Sequence, residues 1–166
     1  PDGYNILFVA GFSHPPNVDA AAFLIREVIP RLENEIGSVN VVLAGSSPSE
    51  SVQALAGPTV SVTGYVTDEE LGKLYARHRV SVVPLRFGAG VKGKVVEALS
   101  RGLPLVTTSI GAQGIPALGE VVPVCDDVPS LVAALKLLLT DDAAWLTQSA
   151  AQLDFAQRYF SRKAMQ

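Results

Sequence analysis

Cysteine, histidine and charged residues are scarce in this 166-residue chain. The single cysteine, Cys125, excludes an internal disulfide and fits a reducing compartment. No group of histidine, cysteine and acidic residues has metal-ligand spacing, and no Ser–His–acid arrangement can be read. A net charge of −3 argues against a nucleic-acid partner, and no apolar run approaches the ~20 residues of a membrane span. We therefore expect a cytoplasmic protein with no nucleic-acid partner and no metal site.

Hydrophobic residues make up 48% of the chain, which is long enough for one domain with a buried core. Short apolar runs alternate with helical patterns, as in a doubly wound, Rossmann-like α/β fold with a parallel sheet and helices on both faces. We expect about six strands, over residues 5–10, 39–44, 60–63, 79–85, 103–107 and 120–124. We expect Asn17 or Asp19 to cap the first helix, residues 18–35, and Pro30 to kink it.

The most informative stretch is RFGAGVKGKVVEALSRG, residues 86–102. A glycine-rich turn there joins a strand to a helix, which brings backbone N–H groups and the positive end of a helix dipole to one point. Lys92 and Lys94 add positive charge, which is unfavourable at a helix start unless an anion binds. Arg86 follows the strand at the sheet edge where ligands of such folds bind. This pattern predicts a site for an anionic nucleotide.

Two general motifs fit the same glycines incompletely. The spacing of Gly88, Gly90 and Gly93 matches the dinucleotide fingerprint, but that fingerprint follows the first strand and needs an acid about 20 residues further on. Residues 107–111, TTSIG, contain no acid. Gly88 and Gly93-Lys94 also match a Walker A loop, in which Val95 replaces the magnesium-binding hydroxyl.

Glu97 has two interpretations, which the spacing leaves open. It lies four residues before Arg101, so the two side chains could form an exposed ion pair on the helix surface. It also lies in the second turn after the glycine-rich loop, where a carboxylate could accept hydrogen bonds from a ribose diol.

Residues 88–107 and the following SIGAQGI, residues 109–115, resemble the donor-domain signature of group 1, family 4 glycosyltransferases. That signature combines a glycine loop, a helix with an EA…G-x-P motif and a (T/S)-x-x-G-x-x-(G/E) loop. The stretches FVAGFSHPPNVDAA, VVLAGSSP and VTGYVTDEELGKLYARHRVSVVP are similar to the family too, in the same order. The resemblance therefore covers nearly the whole chain.

The resemblance implies the C-terminal domain of a GT-B enzyme, in which two Rossmann-like domains face each other across a cleft. Residues 1–166 would be one nucleotide-sugar-binding domain, cut from a longer chain that also has an N-terminal acceptor domain. The enzyme would transfer a sugar from a UDP- or GDP-sugar with retention of configuration, without a cofactor or an obligatory metal, in polysaccharide biosynthesis. Catalytic groups and any peripheral membrane association would come from the missing domain, so the isolated domain would be inactive.

The family's donor-binding positions can be carried over to this sequence. Glu97 would bind the ribose hydroxyls, and Tyr65 and Val66 would flank the base. The residues that would contact or neutralise the diphosphate are Gly11, Arg86, Gly90, Val91, Lys92 and Lys94. Two departures stand out: Ala89 replaces an acid that contacts the donor sugar in many members, and residues 11–25 contain no arginine or lysine.

Two other functions remain open from the sequence. A nucleotide-sugar 2-epimerase shares the GT-B architecture, but we would expect it to have additional acids and histidines in this domain. The only histidines in this sequence are His14 and His78. A nucleotide-binding module without catalytic activity is also compatible with these motifs.

Overall fold

Five parallel strands form the sheet in this computed structural model, which describes residues 3–164. Their spatial order is β3-β2-β1-β4-β5. The strands are β1 (Asn5–Val9), β2 (Asn40–Ala44), β3 (Val60–Val62), β4 (Val80–Val83) and β5 (Leu105–Thr107). The order changes direction beside β1, so the carboxyl ends of β1 and β4 flank the crevice where ligands of doubly wound sheets bind.

The central strands are buried on both faces. Ile6, Leu7 and Phe8 of β1 have no exposed surface, and every residue of β4 is buried. A continuous apolar run is what a parallel strand needs when helices cover both faces of its sheet. The predicted doubly wound α/β fold is confirmed.

The prediction of a sixth strand over residues 120–124 is wrong. A 3-10 turn spans Leu118–Glu120, and beyond it only a single bridge joins Val124 to Thr107 of β5. Pro123 explains the difference, because it has no N–H to donate to a ladder. Its carbonyl accepts from the N–H of Thr107 at 3.2 Å, and the Cys125 N–H donates to Thr107, so contact with β5 is brief.

Seven α-helices connect or cover the strands in the described part of the chain. They are α1 (Pro15–Phe23), α2 (Ile29–Ile36), α3 (Glu50–Gln53), α4 (Asp68–Arg77), α5 (Gly93–Arg101), α6 (Val128–Thr140) and α7 (Asp142–Ala164). The side chains of Ser49, Thr67 and Asp127 cap α3, α4 and α6 by accepting backbone N–H hydrogen bonds. None of the helices between residues 3 and 164 is both long and apolar enough to cross a membrane.

The first helix begins earlier than predicted, and its regular hydrogen bonding is interrupted near Pro30. It begins at Pro15, with His14 as its N-cap residue, so Asn17 and Asp19 lie inside the helix and do not cap it. Prolines fit the first helical turn, since the N–H groups there have no intrahelical acceptor. A π-helical segment, Leu24–Val28, lies just before Pro30 and separates α1 from α2. Such a segment accommodates the hydrogen bond that Pro30 cannot donate.

Helix α7 is fixed to the sheet edge by a buried glutamine. Gln152 is fully buried; its Oε1 accepts from the Leu105 N–H at 2.8 Å, and its Nε2 donates to the Leu103 carbonyl at 2.8 Å. These bonds satisfy backbone groups around β5, which is one of the two edge strands of the sheet. Helix α7 also packs against α5, and so supports the helix that follows the glycine-rich loop.

Candidate functional site

A cleft of about 380 Å³ opens at the carboxyl end of β1. The loop after β1, one face of α4 and the first two turns of α5 form its walls. Its lining residues are Val9, Ala10, Gly11, Asp68, Leu71, Tyr75, Gly93, Lys94 and Glu97. Three of the predicted site residues, Gly11, Lys94 and Glu97, therefore lie around one cavity.

The glycine-rich loop leads into this cleft through backbone conformations that favour glycine. Gly88 has a φ of 130° and Gly90 a φ of 80°, in a region that residues with a Cβ rarely adopt. Helix α5 then begins at Gly93 without a side-chain cap and without an acid in its first turn. Within residues 3–164, no carbonyl accepts a hydrogen bond from the N–H groups of Gly93 and Lys94. The start of α5 thus presents backbone donors and a positive dipole end at the cleft.

The side chain of Lys94 is hydrogen-bonded to α1. Its Nζ donates to Asn17 Oδ1 at 3.1 Å, and Asn17 Nδ2 donates to the Gly11 carbonyl at 2.8 Å. Burial lowers the pKa of Lys94, and the neighbouring charge of Lys92 lowers that pKa further. Among the described residues, no carboxylate lies within 4 Å of its ammonium group.

Lys92 points back onto its own loop. Its Nζ donates to the Gly90 carbonyl at 2.6 Å, and the residue is only 9% exposed. Burial lowers the pKa of Lys92 as well. Lys92 therefore stabilises the loop conformation while its charge, like that of Lys94, has no acidic partner in the part of the chain that the structure describes.

Glu97 forms the ion pair with Arg101 and also faces the cleft, while its ribose-binding role stays a prediction. Its Oε1 accepts from Arg101 Nε at 2.7 Å, and its side chain also lines the cleft. No donor among residues 3–164 contacts its Oε2, which leaves that oxygen for a ligand. Arg101 stacks on Tyr75, with 5.1 Å between the guanidinium carbon and the ring centroid. Burial, together with the charge of Glu97, raises the pKa of Tyr75 far above its usual value, so its hydroxyl stays protonated.

Tyr65 and Val66 lie in the turn between β3 and α4. Tyr65 is 76% exposed, which is unusual for so large a side chain, and Val66 is half-buried. The turn runs directly into α4, whose first residue, Asp68, lines the cleft. An exposed aromatic ring in this position could stack on a nucleotide base.

Arg86 lies outside the cleft lining and is bound to the first helix instead. Its Nε donates to Asp19 Oδ2 at 2.9 Å, and its Nη2 donates to Asp19 Oδ1 at 2.6 Å. Glu27 lies 3.6 Å from its Nη1, and the guanidinium sits 4.5 Å from the centroid of the Phe23 ring. The charge of Arg86 is therefore already neutralised within the domain. Val91, another predicted residue, is 45% exposed and packs beside Gly114 rather than into the cleft.

Sequence reasoning missed Tyr75 and Gly93, which line the cleft, and Asn17, which accepts a hydrogen bond from Lys94. Asn17 is 3% exposed, and a polar side chain among the buried residues of an otherwise apolar helix face was the available signal. Tyr75 follows Leu71 by four residues, which places both on the same face of α4. Gly93 was read as part of a turn, whereas it is the first residue of α5.

The sequence model of the family described as "Glycosyl transferases group 1" matches residues 3–141. The chain belongs to the group 1 glycosyltransferases. This match confirms the resemblance that the glycine-rich stretch indicated. A curated relative, an "uncharacterized 44.6 kDa protein in cps region" of Klebsiella pneumoniae, is 26% identical over 117 residues. That alignment covers 66% of this chain and 30% of the relative.

Solved structures of glycosyltransferases share the fold. The C-terminal domain of the group 1 glycosyltransferase LpcC from Francisella tularensis has a TM-score of 0.71 at 14% identity, over 96% of this chain and 87% of that chain. HepE from Anabaena, in complex with UDP and glucose, has a TM-score of 0.76 at 15% identity. That likeness covers 95% of this chain but only 44% of HepE. The group 1 domain described here thus corresponds to less than half of HepE and under a third of the Klebsiella relative.

Proposed function

We propose that this domain binds the nucleotide-diphosphate sugar from which a glycosyltransferase transfers the sugar to an acceptor. The observation that carries the proposal is the convergence of Gly11, Lys94, Glu97 and the unpaired N–H groups of α5 on one cleft. Family membership and the HepE complex with UDP and glucose support this role.

In this proposal the diphosphate lies at the start of α5. The N–H groups there and the ammonium groups of Lys92 and Lys94 stabilise the charge that develops on the leaving diphosphate. The lysines supply positive charge without a metal. Gly11 has no Cβ, so the loop after β1 leaves room for the phosphates. Arg86 is left out of the site, because Asp19 and Glu27 already neutralise it.

The nucleoside extends from the diphosphate towards α4. Glu97 Oε2 accepts hydrogen bonds from the ribose hydroxyls, while Arg101 keeps the carboxylate oriented through Oε1. Tyr65 and Val66 flank the base, which we expect to be uracil or guanine. We therefore expect that loss of the Glu97 carboxylate weakens binding of the nucleoside directly.

We further propose that this domain works with a second Rossmann-like domain that supplies the acceptor site and the catalytic groups. The present chain covers only 44% of HepE but 87% of the LpcC C-terminal domain. This difference supports an enzyme of two domains, of which this chain is one. Retention of configuration follows from the family resemblance and is tested on the complete enzyme, by the anomeric proton coupling in the NMR spectrum of the product. Assembly of a polysaccharide stays a prediction.

Calorimetric titration with UDP, GDP and ADP, with and without magnesium, tests the donor site. We expect one of these diphosphates to bind without metal. Glu97→Gln should weaken that binding at least tenfold, since a hydrogen bond to a charged group contributes about 1.5–3 kcal/mol. Asp154→Asn is the matched control, because it also removes one partner of an (i, i+4) arginine pair, on α7. Binding that requires magnesium, or no binding of any diphosphate, would contradict the proposal.

A further inference from the structure

We propose that Asn17 is a positioning residue of the donor site: it orients the Lys94 ammonium with a neutral amide, so that the full positive charge remains for the ligand. This inference rests on the proposed donor-binding function and adds a residue to it. Asn17 itself does not line the cleft; it acts through two residues that do, Gly11 and Lys94.

The contacts of Asn17 fix both ends of its amide. The Gly11 carbonyl can only accept, so it faces Nδ2, and the Lys94 ammonium can only donate, so it faces Oδ1. The side chain is 3% exposed in the first turn of α1, which leaves it little freedom to rotate. One amide thus sets the distance between the loop after β1 and the start of α5, the two walls between which a diphosphate would sit.

The neutrality of the amide matters because Lys94 is costly to keep charged. Burial and the charge of Lys92 both lower the pKa of Lys94. Glu97, which lines the cleft beside Lys94, is paired with Arg101 through Oε1. A carboxylate in place of the Asn17 amide would relieve this cost, but it would also cancel the attraction of Lys94 for an anion.

The same helix contains the opposite arrangement two residues further on. Asp19 binds Arg86 through two short hydrogen bonds and neutralises it, with Glu27 as a second acid nearby. Helix α1 therefore contacts both cations, one through a carboxylate and one through an amide. The cation in the cleft, Lys94, is the one that remains un-neutralised.

Two substitutions of Asn17 separate its charge from its shape. Asn17→Asp keeps the shape, adds a negative charge beside Lys94 and removes the donor to Gly11. It should weaken binding of the diphosphate that the wild type prefers by at least tenfold, while the affinity for the corresponding uncharged nucleoside stays within about twofold. It should also raise the pKa of Lys94, followed by NMR of the Cε resonance in the ¹³C-lysine-labelled domain.

Asn17→Ala tests whether Asn17 acts through Lys94. We expect it to weaken diphosphate binding at least threefold in the wild type and by less than 1.5-fold in a Lys94→Met background, because a double-mutant cycle isolates the coupling between the two side chains. Circular dichroism and thermal unfolding establish that each variant is folded. If Asn17→Asp fails to fold, the Asn17→Ala cycle decides alone.

The outcomes distinguish this inference from the function on which it rests. If the wild type and Asn17→Asp bind the diphosphate with the same affinity, the role of Asn17 is overturned, but the donor site is not. The role of Asn17 is also overturned if Asn17→Ala weakens diphosphate binding by the same factor in the wild type and in the Lys94→Met background. If the wild type binds no diphosphate, the donor-binding function fails and this role fails with it.

Discussion

Replacing Gly93 with alanine should make the domain slightly more stable and its donor site weaker. Gly93 is the first residue of α5, its φ lies outside the left-handed region, and a Cβ built there meets no atom within 4 Å. Alanine is the better helix former and loses less conformational entropy on folding. We expect the free energy of unfolding to rise by about 0.5 kcal/mol, which corresponds to ~1–2 °C in Tm for a domain of this size.

The same Cβ occupies the space that the diphosphate would need. Gly93 lines the cleft beside Lys94, and a phosphate oxygen must approach the N–H groups of α5 to about 2.9 Å. Losing one charge-assisted hydrogen bond, at about 1.5–3 kcal/mol, weakens binding by at least tenfold. Calorimetric titration with the preferred diphosphate measures the loss, and thermal unfolding of the ligand-free domain measures the gain in stability.

Gly57→Ala is the control for this experiment. Gly57 lies in the turn before β3, away from the cleft lining, and its Cβ would also meet nothing within 4 Å. It should leave the dissociation constant unchanged. A Gly93→Ala variant that binds the diphosphate within twofold of the wild type would refute the placement of the phosphates at the start of α5.

Three further substitutions test the charges and the packing. Affinity for the diphosphate should fall as the pH rises from 7 towards 10, because Lys94 carries its positive charge below its lowered pKa and loses it above that pKa. Lys94→Arg should make the affinity less dependent on pH, because arginine stays charged over this range. Arg86→Gln should leave the affinity within twofold, since Asp19 already neutralises that arginine. Gln152→Leu should lower the free energy of unfolding by about 2–4 kcal/mol in a urea titration, because the Leu105 N–H and the Leu103 carbonyl lose their partner.

The strands could be predicted where burial alone decides the local structure. β1 and β4 are apolar except for Asn5 and Ser81, and both are buried on two faces. The run over residues 120–124 is mostly apolar too, but it contains Pro123, which has no N–H to donate to a neighbouring strand. A pattern of apolar residues does not show this missing hydrogen bond. The first helix illustrates the same limit, since two prolines at its start mark the N-terminus better than the polar residues after them.

The candidate site could be predicted where the backbone supplies the chemistry. Glycines after an apolar run indicated free N–H groups at a helix start, and in the described chain no carbonyl accepts from the N–H groups of Gly93 and Lys94 at the start of α5. The identity of Glu97 as a cleft residue followed from the family's motif and not from its spacing to Arg101, which indicated a surface pair equally well. In the folded domain Glu97 forms the pair with Arg101 and also lines the cleft, and its contact with a ribose stays a prediction.

What the sequence could not show is which positive charges are available to a ligand. Arg86 and Lys94 are both cations at the carboxyl edge of the sheet, and residue type alone gives them the same role. Their difference depends on the partner that α1 offers each of them, Asp19 for one and Asn17 for the other, across 67 and 77 residues of chain. Such a pairing is set only once the helix register against the sheet is fixed. The sequence shows that both positive charges are present, but the fold determines which of them is available to bind an anionic ligand.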